Sequence, residues 1–207
     1  MSTLEINMAE DLGFRLYHLS PGIGTEVLDI DLSKDLGVEV IDFLSDLLVE
    51  RKVIFFRDQA ISMQQHIEFA RCFGDIEIHP FTKNDDNYPE VIHLDNDRDR
   101  PPTINVWHSD VTWRQEPSLG SILRAVEVPE VGGDTLFANM EAAYASLDDA
   151  TKEVLVGLYA IHDNQVFLEG MRQEGASTKE IQALQEKFPP ARHPVVRTHP
   201  VSKRKSI

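Results

Sequence analysis

At 207 residues, with 42% hydrophobic and 27% charged side chains, the chain is long enough to bury a core and fits one domain spanning residues 1–207. Its lone cysteine, Cys72, excludes an internal disulfide framework and any cysteine-built zinc or iron–sulfur centre, and reads as a buried core thiol on a helix. A formal net charge of −15 argues against nucleic acid as a partner, because neutralising phosphates needs a basic face, but leaves room for a small anion if a few basic side chains line a pocket.

The first residues, Met1 to Asp11, carry neither a basic start nor an apolar stretch of the kind that directs secretion, and no later run approaches the length of a membrane span. The expected setting is the cytoplasm, with no membrane partner.

In chain order, Phe14–His18 and Thr25–Leu32 read as short strands around a Ser20–Gly24 turn rich in Pro and Gly. An amphipathic helix follows, with Val40, Ile41, Leu44, Leu47 and Leu48 on its apolar face. Val53–Phe56 reads as a buried strand. Ser62 with Gln65 three residues on makes a capping box, opening a helix that turns Ile67, Ala70 and Phe73 inward and stops at Gly74.

From Ile76 to Asp134, strand-like runs (Ile76–His79, Val91–Leu94, Asn105–Thr112, Ser121–Val128) alternate with polar loops containing proline, the rhythm of an antiparallel sheet folding over itself. Gly132–Phe137 leads into another strand. Met140–Leu158 reads as one or two helices with Asp148 as an N-cap, and Ser177–Glu180 is a second capping box, whose helix ends before Pro189 and Pro190. His193–Thr198 is the last strand signal. There is no internal repeat, and the acidic surplus is spread along the chain as solvated surface.

The chemistry-bearing pattern is His108-Ser109-Asp110. In a strand, residues two apart point the same way, so an imidazole and a carboxylate would be aimed together. They are two of the three groups in the 2-His-1-carboxylate facial triad that holds non-haem Fe(II). Spacing alone does not choose this pair over a second copy, His93-Leu94-Asp95. Trp107 and Trp113 read as core or pocket wall, and His18, His66 and His162 as structural.

Three ordered motifs carry a resemblance: Trp107-His-Ser-Asp-Val-Thr-Trp113, Gly132-Gly-Asp-Thr-Leu-Phe137 and His193-Pro-Val-Val-Arg-Thr-His-Pro200. With Val53–Arg57 and Phe73–Pro80, they make nearly the whole chain resemble the taurine dioxygenase family of Fe(II)- and 2-oxoglutarate-dependent oxygenases. The resemblance implies an α+β fold, a double-stranded β-helix or jelly roll with flanking helices, incomplete at its C-terminus. It also implies Fe(II) as cofactor, 2-oxoglutarate as cosubstrate, and hydroxylation of a small substrate by dioxygen with release of succinate and carbon dioxide.

Carried over position by position, His108 and Asp110 match iron ligands, whereas His93 and Asp95 match none. Thr135 matches the residue that hydrogen-bonds the far carboxylate of 2-oxoglutarate. His79 matches a substrate-sulfonate contact, with Asn105 a further candidate for the same pocket. Thr82 stands where taurine-specific members carry a tyrosine, which turns the expectation toward another small sulfonate, a sulfate ester or a carboxylate.

The family's third iron ligand, a histidine, and its carboxylate-pairing arginine lie downstream of the His193–Pro200 strand and have no match up to Ile207. His193 and His199 fall where the family places no ligand, and Lys203–Lys205 reads as an exposed basic turn. The 207-residue chain alone is therefore expected to bind iron weakly and to be inactive or nearly so. Three readings stand: a dioxygenase; a family member without the reaction that serves as a binding or interaction module; and a cupin-like metal protein using His193 or His199. Homo-oligomerisation is left open.

Overall fold

Residues 8–97, 99 and 106–207 are described by the computed structural model; Asn105, one of the expected substrate contacts, lies outside them. By its internal contacts the chain divides into two units. The first comprises the sequence up to Asp75 with Arg124–Val156 and Val196–Ile207, the second Ile76–Leu123 and Gly157–Val195.

In the first unit, a helical turn over residues 8–11 closes at Gly13, whose φ of 89° suits a residue without a Cβ. Gly13 N–H donates to Glu10 and Phe14 N–H to Ala9, the paired bonds of a Schellman cap, and Ala9 and Phe14 are buried together. Strand β1 (Arg15–His18) then pairs antiparallel with β2 (Thr25–Leu28), His18 opposite Thr25. β2 ends earlier than its sequence pattern suggests, because Asp29 takes a left-handed φ of 66° that no strand accommodates.

Helix α1 (Val38–Arg51) buries Ile41, Phe43, Leu44 and Leu47. Strand β3 (Ile54–Phe55) then returns parallel to β2, giving sheet order β1-β2-β3. Helix α2 (Met63–Arg71) opens on the expected capping box: Ser62 Oγ accepts from Gln65 N–H, and Gln65 Oε1 accepts from Ser62 N–H. Phe69 meets Phe56 and Phe73 edge-on, an inward position that the expected face of Ile67, Ala70 and Phe73 omits. One cluster of Ala9, Phe14, Val27, Leu32, Phe43, Leu44, Leu47, Ile61 and Phe69 forms the core, each large side chain contributing roughly 1.5–3 kcal/mol by burial.

Cys72 corrects its expectation. The thiol is exposed: Cys72 lies past the last turn of α2 as its C-cap, and its Sγ donates to the Glu68 carbonyl at 3.4 Å.

Met140–Leu158 is two helices: α3 (Met140–Ala145), capped by Asn139, and α4 (Asp149–Leu155), capped by Asp148 as expected. In the second unit, β4 (Tyr159–His162) pairs antiparallel with β5 (Ala191–Pro194), Ala160 opposite His193. Between them run α5 (Gln165–Gln173) and α6 (Thr178–Lys187), the latter opened by the Ser177–Glu180 capping box. Leu168 and Ile181 are buried there, and Asn164 Nδ2 donates to the Phe188 carbonyl. Back in the first unit, β6 (Arg197–Thr198) and β7 (Lys205–Ser206) form a small antiparallel ladder, so the expected His193–Thr198 strand is split between two sheets.

The structure departs most from expectation between Ile76 and Phe137. Among the described residues, the runs read there as strands form no ladder beyond the single bridge between Asn84 and Ile92. Helices and sheets are both present, as α+β requires, but the described strands make one three-stranded and two two-stranded sheets. Alternating sequence makes a strand only where a neighbour supplies the ladder.

Candidate active site

His108 and Asp110 lie in the second unit, in a loop that turns at Asp110 rather than on the expected strand. Val111, β-branched, sits at φ 49°, a strained conformation that reverses the chain, and Arg114 N–H closes the turn on the Val111 carbonyl at 2.9 Å.

The loop still brings the pair together: His108 Nε2 lies 3.4 Å from Asp110 Oδ1. His108 Nδ1 is 3.0 Å from the Val106 carbonyl, which can only accept, so Nδ1 carries a proton and Nε2 is the ring atom left for a ligand bond. Ser121 Oγ donates to Asp110 Oδ2 at 2.8 Å and leaves Oδ1 for other use.

Two ligands about 2.1 Å from one ion and at right angles lie about 3 Å apart. The pair has that spacing, the tautomer a ligand needs, and outer partners of the kind that orient metal ligands. Both side chains are about half exposed, so the ion has access. The residues thus fit two positions of a facial triad. No group of three His, Cys, Asp or Glu gathers among the described residues.

His79 lies beside this loop, in an aromatic cluster. Its ring packs edge-on against Phe81, Trp113 and Phe167 at centroid distances of 6.0, 5.9 and 5.5 Å. Trp113, 5% exposed, anchors the cluster as expected, whereas Trp107, 70% exposed, is neither core nor wall. Burial pushes the His79 imidazole below its ordinary pKa; Glu77 and Asp110 pull it up and Arg114 pushes it further down. Phe81 N–H and the Thr82 hydroxyl face Nδ1 at 3.4 and 3.1 Å. The neutral ring therefore carries its proton on Nε2.

Arg114 stacks over Trp113 and Phe188 and holds Glu77 at 2.6 Å, a short but off-axis ion pair. Behind the turn, His193 Nε2 lies 2.8 Å from the Thr112 carbonyl and 2.9 Å from that of Arg114. His162 Nδ1 lies 2.9 Å from Thr112 Oγ1.

The other expected residues are placed elsewhere. Thr135 belongs to the first unit, exposed and outside any helix or strand. His93 bonds Asp85 rather than Asp95. Nε2 of His193 donates to two carbonyls and Nδ1 of His199 accepts from Val201 and Ser202 N–H, and among the described residues neither histidine joins His108 and Asp110 in a group that could hold an ion. Ser121 was missed by sequence reading, and its only signal is a hydroxyl in the next strand-like run.

A family model described as "Taurine catabolism dioxygenase TauD, TfdA family" matches residues 15–207. The alkylsulfatase of Acinetobacter baylyi is 34% identical over the whole chain, which covers 65% of that protein. An alpha-ketoglutarate-dependent sulfate ester dioxygenase of Pseudomonas putida is 33% identical over 89% of the chain and 62% of its own length. The crystal structure of a taurine dioxygenase from Burkholderia xenovorans superposes with a TM-score of 0.73 at 27% identity, over 93% of this chain and 61% of that one. The chain thus spans less than two thirds of the length of these relatives.

Proposed function

The chain belongs to the taurine catabolism dioxygenase TauD, TfdA family, and from that premise we propose that it contributes the iron-holding loop of an Fe(II)- and 2-oxoglutarate-dependent dioxygenase acting on a small sulfate ester or sulfonate. The observation that carries the reading is the His108–Asp110 pair, 3.4 Å apart with both outer atoms already oriented. The names of the relatives from Acinetobacter baylyi and Pseudomonas putida favour the sulfate-ester class. The reducing cytoplasm, which keeps iron ferrous, is the proposed compartment.

His108 and Asp110 would hold the iron, which with 2-oxoglutarate and dioxygen supplies the oxidising power, yielding succinate and carbon dioxide as by-products. The remaining roles fall to the chain. Val106 keeps His108 in the ligand tautomer, and Ser121 fixes the carboxylate plane of Asp110. His79, held neutral by burial, offers Nε2–H to an anionic oxygen, while Phe81 and Phe167 shield that bond from water. The Gly132-Gly133-Asp134-Thr135 motif supports Thr135 as donor to the far carboxylate of 2-oxoglutarate, and the motif position of Asn105 supports a substrate contact.

A second reading, a family member that binds without turnover, is favoured by one fact: no third His, Cys, Asp or Glu joins the pair among the described residues. One assay separates the two. Purified chain with Fe(II), 2-oxoglutarate and a panel of alkyl sulfates, sulfonates and phenoxyacetate is followed for succinate. Succinate that falls at least about 100-fold in His108→Ala and Asp110→Ala establishes the dioxygenase. Mn(II) binding lost in both variants, with no succinate from the unsubstituted chain, establishes the binding module.

A further inference from the structure

Antiparallel partners share a face of a sheet, so His193, opposite Ala160, and His162, opposite Ala191, project from the same side of the β4–β5 ladder. Their rings meet edge-on with centroids 5.2 Å apart. Both reach the turn that follows Asp110. His193 Nε2 lies within 2.9 Å of two carbonyl oxygens, those of Thr112 and Arg114, and carbonyls only accept. Nε2–H therefore donates to both as a three-centre bond. Two residues upstream of Thr112, Asp110 is aimed by a chain reversal that depends on Val111 at φ 49°, a conformation that a valine leaves unless its surroundings hold it.

We infer that His193, backed by His162, is the positioning residue for Asp110: from the β4–β5 ladder it clamps the Val111–Arg114 turn and so sets where the Asp110 carboxylate points. The inference rests on the proposed iron site and adds a component of it more than 80 residues away in sequence from the pair it serves. Without the clamp, Val111 relaxes toward extended backbone, Asp110 rotates, and the pairing with His108 Nε2 is lost. The ladder makes the clamp stiff, because both histidines are carried by paired strands rather than by a loop.

The test uses the whole isotopically labelled chain and Mn(II), read as paramagnetic broadening of the backbone signals of residues 106–114. In the unsubstituted chain, broadening is expected to centre on the loop of residues 106–114. His193→Leu keeps roughly the volume and removes the donor; apparent Mn(II) affinity should fall about 10-fold or more, and the metal-free signal of the Asp110 carboxylate should move. His193→Gln, whose amide N–H can reach the same carbonyls, should stay within about 3-fold of the parent.

Should His193→Leu not fold, Thr112→Val, which removes the hydroxyl facing His162, is judged by the same two readings. Mn(II) affinity and an Asp110 carboxylate signal unchanged in a folded His193→Leu or Thr112→Val chain would overturn the positioning role while leaving the iron site standing. No broadening in the unsubstituted chain would overturn the iron site and the inference with it.

Discussion

Arg51, 8% exposed, is a buried cation whose partners are one hydroxyl and three carbonyls. Nε donates to Thr25 Oγ1 at 2.8 Å, Nη1 to the Pro21 carbonyl at 3.1 Å, and Nη2 to those of Ser20 and Gly24 at 2.6 and 3.1 Å. The guanidinium fork thereby fixes the 20–24 turn between β1 and β2 onto the end of α1. Arg51→Met should cost about 3 kcal/mol by stranding these acceptors, and Arg51→Lys nearly as much, since an ammonium cannot match the fork. Urea denaturation measures both, and a lysine variant within about 0.5 kcal/mol of the parent would refute the fork. Nothing in the sequence singles Arg51 out, because a basic residue in the last turn of a helix is ordinary. Its role depends on a turn some 30 residues earlier. The contact of His193 with the turn was opaque for the same reason, whereas the closeness of His108 and Asp110, two residues apart, was legible from their spacing.

Glu141, in the first turn of α3, ties three elements together. Its Oε2 lies 2.6 Å from Arg204 Nε on the β6–β7 hairpin and 2.9 Å from Lys52 Nζ just after α1. Arg204 Nη1 reaches on to Glu50 at 2.8 Å. The basic run Lys203–Lys205 is thus exposed as expected, yet its arginine is committed to carboxylates of the same chain. Burial alone would raise the Glu141 carboxyl; Lys52 and Arg204 outweigh it and hold the pKa below its ordinary 4.5. A depressed carboxyl binds fewer protons folded than unfolded. Its stabilisation is therefore full above the ordinary value and is lost as pH falls through the folded one. Glu141→Gln should lower stability by about 1–3 kcal/mol at pH 7 and flatten its decline below pH 4.5. Thermal melts from pH 7 to 3 would show it, and parallel curves for parent and variant would refute it. At this scale the capped helices were legible, since Ser62–Gln65 and Ser177–Glu180 each complete their bonds within four residues. The strands between Ile76 and Phe137 were not, because a ladder is a property of two segments and an alternating run names only one.

At the scale of the whole molecule, apolar side chains stand in solvent, Val126 (87% exposed) and Leu94 (74%) from runs that read as strands and Val131 (90%) from the link between two of them. Large exposed apolar surface and unpaired strand-like backbone favour association, while a net charge of −15 opposes it over a Debye length. The chain should therefore self-associate with concentration, and more at 300 mM than at 20 mM salt. Sedimentation velocity would record this, and Val126→Lys with Val131→Lys should reduce it. A chain that stays monomeric at every salt and concentration would show these side chains to be harmless. The family was legible at this scale from three motifs in order, and the superposition with a taurine dioxygenase supports it.

The exposure of Cys72 turns the one thiol in the chain into a handle. A maleimide dye or spin label would attach at a single known point, at the end of α2, without disturbing Ile67 or Phe69. In air the same sulfur would join two copies covalently, so adding a reductant distinguishes dimers linked through Cys72 from those held by apolar surface.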